Sequence, residues 1–265
     1  MVYTCYEMIR DCRADKPEGW SYFLAQFVPV IRGLVTHYFP DRAGDPALVE
    51  RALATLRQPQ SNLFESLDPA PERAFVAGLR QRVLAAVEAD RAGAAPEVPI
   101  DLEVLGQALE PLTLTEKLVV WFETMGYSAT DAARMLRMSP QTADKIRSRA
   151  AELVRGSVDA WSRTLLAENG PSLGREAAAI STRDCLPPKA FLDIIDGRTN
   201  WRGREEMERH VKTCWHCIDH FCRLLEDVDV LRASQPLAEA EVEKYQRLLG
   251  IEPPKRSFWK KRQAL

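Results

Sequence analysis

Residues 208–217 read Glu208-Arg-His-Val-Lys-Thr-Cys-Trp-His-Cys217, a His-x3-Cys-x2-Cys run formed by His210, Cys214 and Cys217, with Cys185 twenty-five residues before the histidine. Zinc takes four soft or borderline ligands in a tetrahedron, and thiolates with an imidazole supply them. On a helix His210 and Cys214 are four apart and share a face. Cys217 follows three later, so one turn and a half presents three ligands, and Cys185 is expected to return as the fourth. The alternative is a set of buried thiols packed as small apolar side chains; the spacing favours metal. His216, His220 and Cys222 crowd the same stretch, so ligand identity stays open, with His220 and Cys222 read as neighbours rather than ligands.

Outward from this cluster, hydrophobic spacing is helical almost everywhere. Trp20, Phe23, Leu24, Phe27, Val30, Ile31, Leu34 and Tyr38 form one stripe, which Pro29 is expected to kink or divide. Asp45 followed by Pro46 opens a helix running to Arg57, and a third begins near Pro71-Glu72 with Phe75, Leu79, Val83, Leu84 and Val87 inward. Asp101 is expected to cap a short helix to Ala108, and Thr115 one reaching Met125. No stretch joins alternating β-branched residues to a hairpin turn, so the predicted class is all-α.

Ser128 to Leu136, a short break, and Ser139 to Arg149 read as a helix-turn-helix, with Ser139 as N-cap and Pro140 at the first helical position. Ala133, Leu136, Met138, Ala143 and Ile146 let two short helices cross closely. The outer face of the second helix offers Gln141, Thr142, Lys145, Arg147 and Arg149, with Arg155 as a flanking phosphate contact. That face suits phosphates and base edges in a major groove. An ordinary helical hairpin with a solvated charged face is the alternative.

A formal net charge of −2 over 265 residues excludes a global basic field, so any nucleic-acid surface is local. The apolar runs fall short of a membrane span, and the N-terminus lacks a secretory pattern. Six cysteines, three of them clustered with histidine, fit metal in a reducing compartment better than a disulfide framework, so a cytoplasmic protein is expected. No catalytic carboxylate pair, Gly-rich phosphate loop or nucleophile elbow is present, and an enzyme is not expected.

Residues Arg183 to Arg232, with Cys185, the Phe191-Leu-Asp-Ile-Ile-Asp-Gly197 stretch and the His210/Cys214/Cys217 cluster, resemble the zinc-binding anti-sigma domain of bacteria. That resemblance favours Cys185 as fourth ligand and implies a small helical domain that masks sigma factors. Asp196-Gly197 is expected to end one helix, and Glu205 to begin the next. Residues 1–160 resemble a divergent extracytoplasmic-function sigma factor. The resemblance rests on Leu109-Glu-Pro-Leu112, Glu116-Lys-Leu-Val-Val120, Gly126, Ser139-Pro-Gln-Thr142 and Arg149-Ala150 in the second half. Phe64, Pro71-Glu72, Phe75, Leu79-Arg80 and Asp90-Arg91 carry it in the first. It implies promoter DNA and core RNA polymerase as partners. Departures fall at Ala47, Glu50 and Arg51, where the polymerase-binding helix of the family carries acidic residues and glutamine. Others are Arg137, at a turn position often held by glycine, and Asp144, where a basic residue is common.

The resulting expectation is a sigma region 2-like helical domain at 1–92, a linker at 93–106 and a region 4-like helix-turn-helix domain at 107–165. A second linker at 166–182, a zinc domain at 183–235, and a helix with a basic tail at 236–265 complete the chain. In the tail, Phe258 and Trp259 interleave with basic residues. Leu224, Leu225, Val228 and Leu231 are read as a docking face or as plain core. The expected function is a sigma-type regulator of transcription initiation, restrained by intramolecular contact with its own zinc domain. The alternatives are a protein-interaction adaptor that does not bind DNA, and a zinc-thiol redox sensor with a vestigial sigma-like half.

Overall fold

The computed structural model describes residues 3–39, 44–58, 64, 72–88, 102–157 and 170–253. The tail from Lys255, most of the first linker, residues 158–169, and the side chains of Val87 and Arg155 lie outside the described residues. Thirteen helices and no strand occur among them: α1 (Cys5–Arg13), α2 (Pro17–Tyr38), α3 (Pro46–Arg57), α4 (Glu72–Glu88), α5 (Leu102–Ala108), α6 (Leu114–Thr124), α7 (Ala129–Leu136), α8 (Pro140–Ser157), α9 (Gly170–Ala179), α10 (Pro188–Ile195), α11 (Trp201–Val211), α12 (Trp215–Ala233) and α13 (Glu239–Leu248). The chain is all-α. It divides into two compact units, Met1–Gly93 with Asp227–Leu265, and Ala94–Glu226.

In the first unit, α2 supplies the stripe expected of it: Trp20, Phe23, Leu24, Phe27, Ile31 and Leu34 are all buried. Phe75 of α4 meets Phe27 edge-on at 4.9 Å between ring centres. Asp45 caps α3 through the Ala47 N–H at 2.9 Å, as its sequence position implies.

Pro29 does not divide α2, which runs through it as one helix. An interior proline removes the N–H that bonds the carbonyl four residues back; here that carbonyl belongs to fully buried Ala25. The Leu237 N–H takes the vacated acceptor at 2.8 Å, so a distant backbone group replaces the missing helical bond. Leu237 stands just before α13, which packs on α2 with Val242 and Tyr245 buried. Gln246 Nε2 donates to Ser21 Oγ at 2.6 Å, and Arg32 reaches both Tyr245 and Glu241. The C-terminal helix is therefore part of the first core. Buried Arg80 of α4 pairs with Asp227 at 2.8 Å.

The second unit holds the helix-turn-helix. Thr113, not Thr115, caps α6: its hydroxyl accepts from the Glu116 N–H while Glu116 bonds back to the Thr113 N–H. That reciprocal box needs a glutamate three residues after the cap, and only Thr113 has one. Ser128 caps α7, and the Thr142 N–H donates to Ser139 Oγ at the start of α8. Arg137 closes α7 in the left-handed region, φ 56°, the conformation for which a turn glycine is usual. Ala133, Ala143 and Ile146 pack between the helices with Val119 of α6, and Leu136 and Met138 lie against them.

Part of the second expected linker is helix α9, whose Leu173 and Ala177 enter the core of this unit. The same core contains Leu118 and Trp121 of α6, Ala150 of α8, Phe191 of α10 and Cys217 and Leu224 of α12. Helix α10 ends at Ile195 with Asp196 as its C-cap, followed by Gly197 at φ 70°, as expected. Helix α11 starts at Trp201, earlier than Glu205, because Asn200 accepts the Gly203 N–H and caps it there. The α12 stripe splits: Leu224 and Leu225 join the second unit's core, whereas Leu231 packs in the first.

Leu237→Pro removes the donor to Ala25. It is expected to lower stability to urea by about 1–3 kcal/mol, the cost of a buried acceptor left without a donor. The loss should shrink in a Pro29→Ala background, where residue 29 regains an N–H for that carbonyl; equal losses in both backgrounds would show that this bond does not brace the helix.

Candidate metal centre and helix-turn-helix face

Four donor atoms from three places in the second unit converge. Cys185 lies in the loop between α9 and α10, His210 in the last turn of α11, Cys214 just before α12 and Cys217 in its first turn. Their ligand atoms all lie within 4.8 Å of one another, a group able to hold a metal ion. Cys185 Sγ is 3.7 Å from Cys214 Sγ, and His210 Nε2 is 3.2 Å from Cys217 Sγ. These are two opposite edges of one small tetrahedron. All three thiols are free, and a disulfide would require the sulfurs at ~2.05 Å.

The expectation that one helix carries His210, Cys214 and Cys217 is corrected. Helix α11 ends at Val211, and the chain turns through residues 212–214 before α12 begins. The Thr213 N–H and hydroxyl both bond the His210 carbonyl at 3.1 Å, which tightens the last turn and breaks the helical register. Lys117 of α6 donates to the Lys212 carbonyl at 3.0 Å and holds the corner from outside.

Hydrogen bonds set the electrostatics of the thiols. Burial works against a Cys185 thiolate, but the Thr182 N–H at 3.3 Å, the Thr182 hydroxyl and the neighbouring thiols together lower its pKa. Cys217 is pushed up to about 12, first by burial and further by the Cys214 and Cys185 sulfurs; a Leu186 backbone N–H opposes the rise. Thr182 and Leu186 were not singled out in the sequence, although Thr182 sits three residues before Cys185, a spacing at which a hydroxyl residue turns back on its neighbour.

The crowding histidines stand apart from the cluster. His216 Nδ1 lies 3.2 Å from the Ala178 carbonyl, and the His220 ring packs edge-on against Phe191 at 5.3 Å. Cys222 is buried beneath α6, where burial raises its pKa well above that of a free thiol.

On the helix-turn-helix, Gln141, Thr142, Lys145, Arg147 and Arg149 are all exposed along α8. Two of them are engaged within the protein. Arg149 bonds Glu116 at 2.7 Å, and Arg147 lies 3.6 Å from Glu123 and 3.4 Å from Asp144. Burial raises the Glu116 pKa, but the Thr113 hydrogen bonds and Arg149 outweigh it, and the net shift is downward. Glu123 is raised by burial, with Arg147 opposing. The Thr142 hydroxyl is 2.8 Å from that of Ser139. Lys145 makes no ion pair among the described residues. Asp144, which departs from the resembled pattern, is partly neutralised by Arg147.

No described helix is long and apolar enough to cross a membrane. Compared with known proteins, the chain matches no protein-family model, no curated protein and no solved structure.

Metal analysis of the purified protein is expected to give about one ion per chain, because four protein ligands define one closed site. Cys214→Ser should bring the ratio well below that and lower the melting temperature of the helices. Full folding and unchanged stability of metal-free protein would refute the assignment.

Proposed function

We propose that the chain is a sigma-factor-like regulator of transcription initiation. In this reading α8 contacts promoter DNA, and the zinc-bearing C-terminal part restrains the sigma-like part. The observation that carries the reading is how α6, the helix supporting the helix-turn-helix, is anchored. Trp121 Nε1 donates to buried Asp219 of α12 at 2.9 Å, and its ring lies 5.0 Å from that of Trp215, next to Cys214. Arg223 also pairs with Asp219 at 3.3 Å. The cysteine-histidine corner and the DNA-reading motif thus share one core, with the α8 face left exposed.

Zinc is the ion that best suits the corner. An ion ~2.3 Å from each sulfur places thiolates ~3.8 Å apart in a regular tetrahedron, and His210 Nε2 completes the soft donor set. A bound dication turns the thiols into thiolates, reversing the upward push on Cys217. Four protein ligands leave no open position, so zinc contributes a structural cross-link here.

The restraint is supported in the first unit, where α13 packs on α2 and its Lys244 reaches Glu50 of α3 at 4.0 Å. Glu50 belongs to the segment that the resemblance assigns to polymerase contact. The ion pairs of Arg147 and Arg149 favour the adaptor reading instead, since both cations are already partly satisfied within the protein. Truncation after Ala178 tests restraint poorly, because it deletes the partners of both Trp121 and the Ala25 carbonyl. Chelation followed by capture of core polymerase separates the two effects better.

Lys145→Ala should weaken binding to duplex DNA and reduce the slope of log K against log salt by about 1, the effect of one lost phosphate contact. An unchanged slope, or binding indifferent to salt in the native protein, points to the adaptor.

A further inference from the structure

Among the described residues only two other than glycine hold a left-handed backbone, Asp15 at φ 49° and Arg137 at φ 56°. That region strains any residue with a Cβ, and glycine escapes the cost. The chain uses glycine for it elsewhere: Gly126, Gly197 and Gly250 follow the ends of α6, α10 and α13 at φ 88°, 70° and 63°. Asp15 has a use inside the fold, since its carboxylate accepts from Trp20 Nε1 at 2.9 Å and lies 3.6 Å from Arg57.

Arg137 has no such use. The end of α7 needs only its backbone. The Arg137 N–H bonds the Arg134 carbonyl at 3.3 Å and the Met138 N–H bonds the Ala133 carbonyl at 2.9 Å, a pairing usually built on glycine. The Arg137 side chain is exposed and makes no hydrogen bond, ion pair or ring contact among the described residues. The carboxylates of the motif are met by other cations, Asp131 by Arg134 at 2.9 Å and Asp144 by Arg147 at 3.4 Å. A cation at the end of α7 gains from the helix dipole, but that gain is small and screened at an exposed end. Arg134 already supplies one in the last turn.

Arg137 stands in the turn of the helix-turn-helix, just ahead of the Ser139 hydroxyl that receives the Thr142 N–H at the start of α8. In docked helix-turn-helix proteins the first helix crosses the DNA backbone and the second enters the major groove by its N-terminal residues. The turn between them lies at the edge of the groove, beside the phosphates. A guanidinium is the side chain that grips a phosphate through two parallel N–H bonds. We propose that Arg137 is a phosphate contact to duplex DNA, additional to the α8 face. The proposal rests on the DNA-binding reading above. Arg137 and Lys145 are then the two cations of the motif that meet DNA without first leaving an internal carboxylate, since Arg134, Arg147 and Arg149 are all paired.

Titration of the full chain with several unrelated DNA duplexes over a range of salt tests this. Arg137→Gly should lower the slope of log K against log salt by about 1, alike on every duplex, the effect of one lost phosphate contact. The same variant should melt at or above the native temperature, because glycine relieves the backbone. Weaker binding by a protein at least as stable excludes unfolding as the cause. Arg137→Gln keeps the strained backbone and should lower the slope equally. Combined with Lys145→Ala, the two losses should add to about 2. Unchanged slopes in both Arg137 variants, while Lys145→Ala lowers its own, would overturn this contact and leave the DNA-binding reading standing. A loss confined to one duplex would make Arg137 a reader of bases and overturn the phosphate assignment. No salt-dependent binding by the native chain would overturn both.

Discussion

A carboxylate withdrawn from water must find a donor, and α12 carries three that are nearly or fully buried: Asp219, Glu226 and Asp227. Each is met by a group from a defined place. Asp219 receives Trp121 of α6 and Arg223, Glu226 lies 3.6 Å from Arg223, and Asp227 receives Arg80 of α4. Breaking such a buried pair by removing one partner typically costs about 3–5 kcal/mol, because a charge is stranded away from water. Apolar contacts alone tolerate sliding, whereas these bonds admit one register. They fix which turn of α12 faces α6, and so place the start of α12, with Cys214 and Cys217, beside the support of the helix-turn-helix.

Seen from that helix, the cysteine-histidine corner and the burial of Lys117 both go back to one turn. Helix α11 must stop after His210 so that Cys214 and Cys217 can swing toward it, and stopping leaves carbonyl groups at the helix end without intrahelical donors. Lys117 satisfies the Lys212 carbonyl, which draws its ammonium into the unit, next to Trp215. A residue that at first reads as part of a helix-turn-helix support is thereby committed to the corner. The same exchange recurs in the first unit: Pro29 vacates a carbonyl and Leu237 occupies it, so the C-terminal helix is tied to α2 by backbone as well as by Val242 and Tyr245.

The helical class, the caps at Asp45 and Ser139, the glycine after Asp196 and the crossing residues Ala133, Ala143 and Ile146 were legible in the chain, because each rests on local residue types and spacing. Thr113 was missed in favour of Thr115 since both precede the apolar run; the reciprocal bond to Glu116 distinguishes them. The start of α11 was missed because Asn200 was overlooked as a cap. Continuity through Pro29 was not legible at all, since the compensating donor lies more than two hundred residues away.

For the candidate sites the division is similar. Residue types and spacing pointed to a metal cluster at His210, Cys214 and Cys217, because few local patterns place such soft donors together; ligand identity stayed open along the chain, and the resemblance favoured Cys185 as the fourth. That these four meet across a corner rather than along one helix is a tertiary fact, decided by where α11 loses its register. The cationic face of α8 was likewise plain from its period, but the pairing of Arg149 with Glu116 and of Arg147 with Glu123 was not. Both depend on the angle at which α8 crosses α6, and burial of Lys117 depends on which helix end lies above it. Local chemistry can be read along a chain; the partner of a buried charge is chosen only when distant segments are brought together.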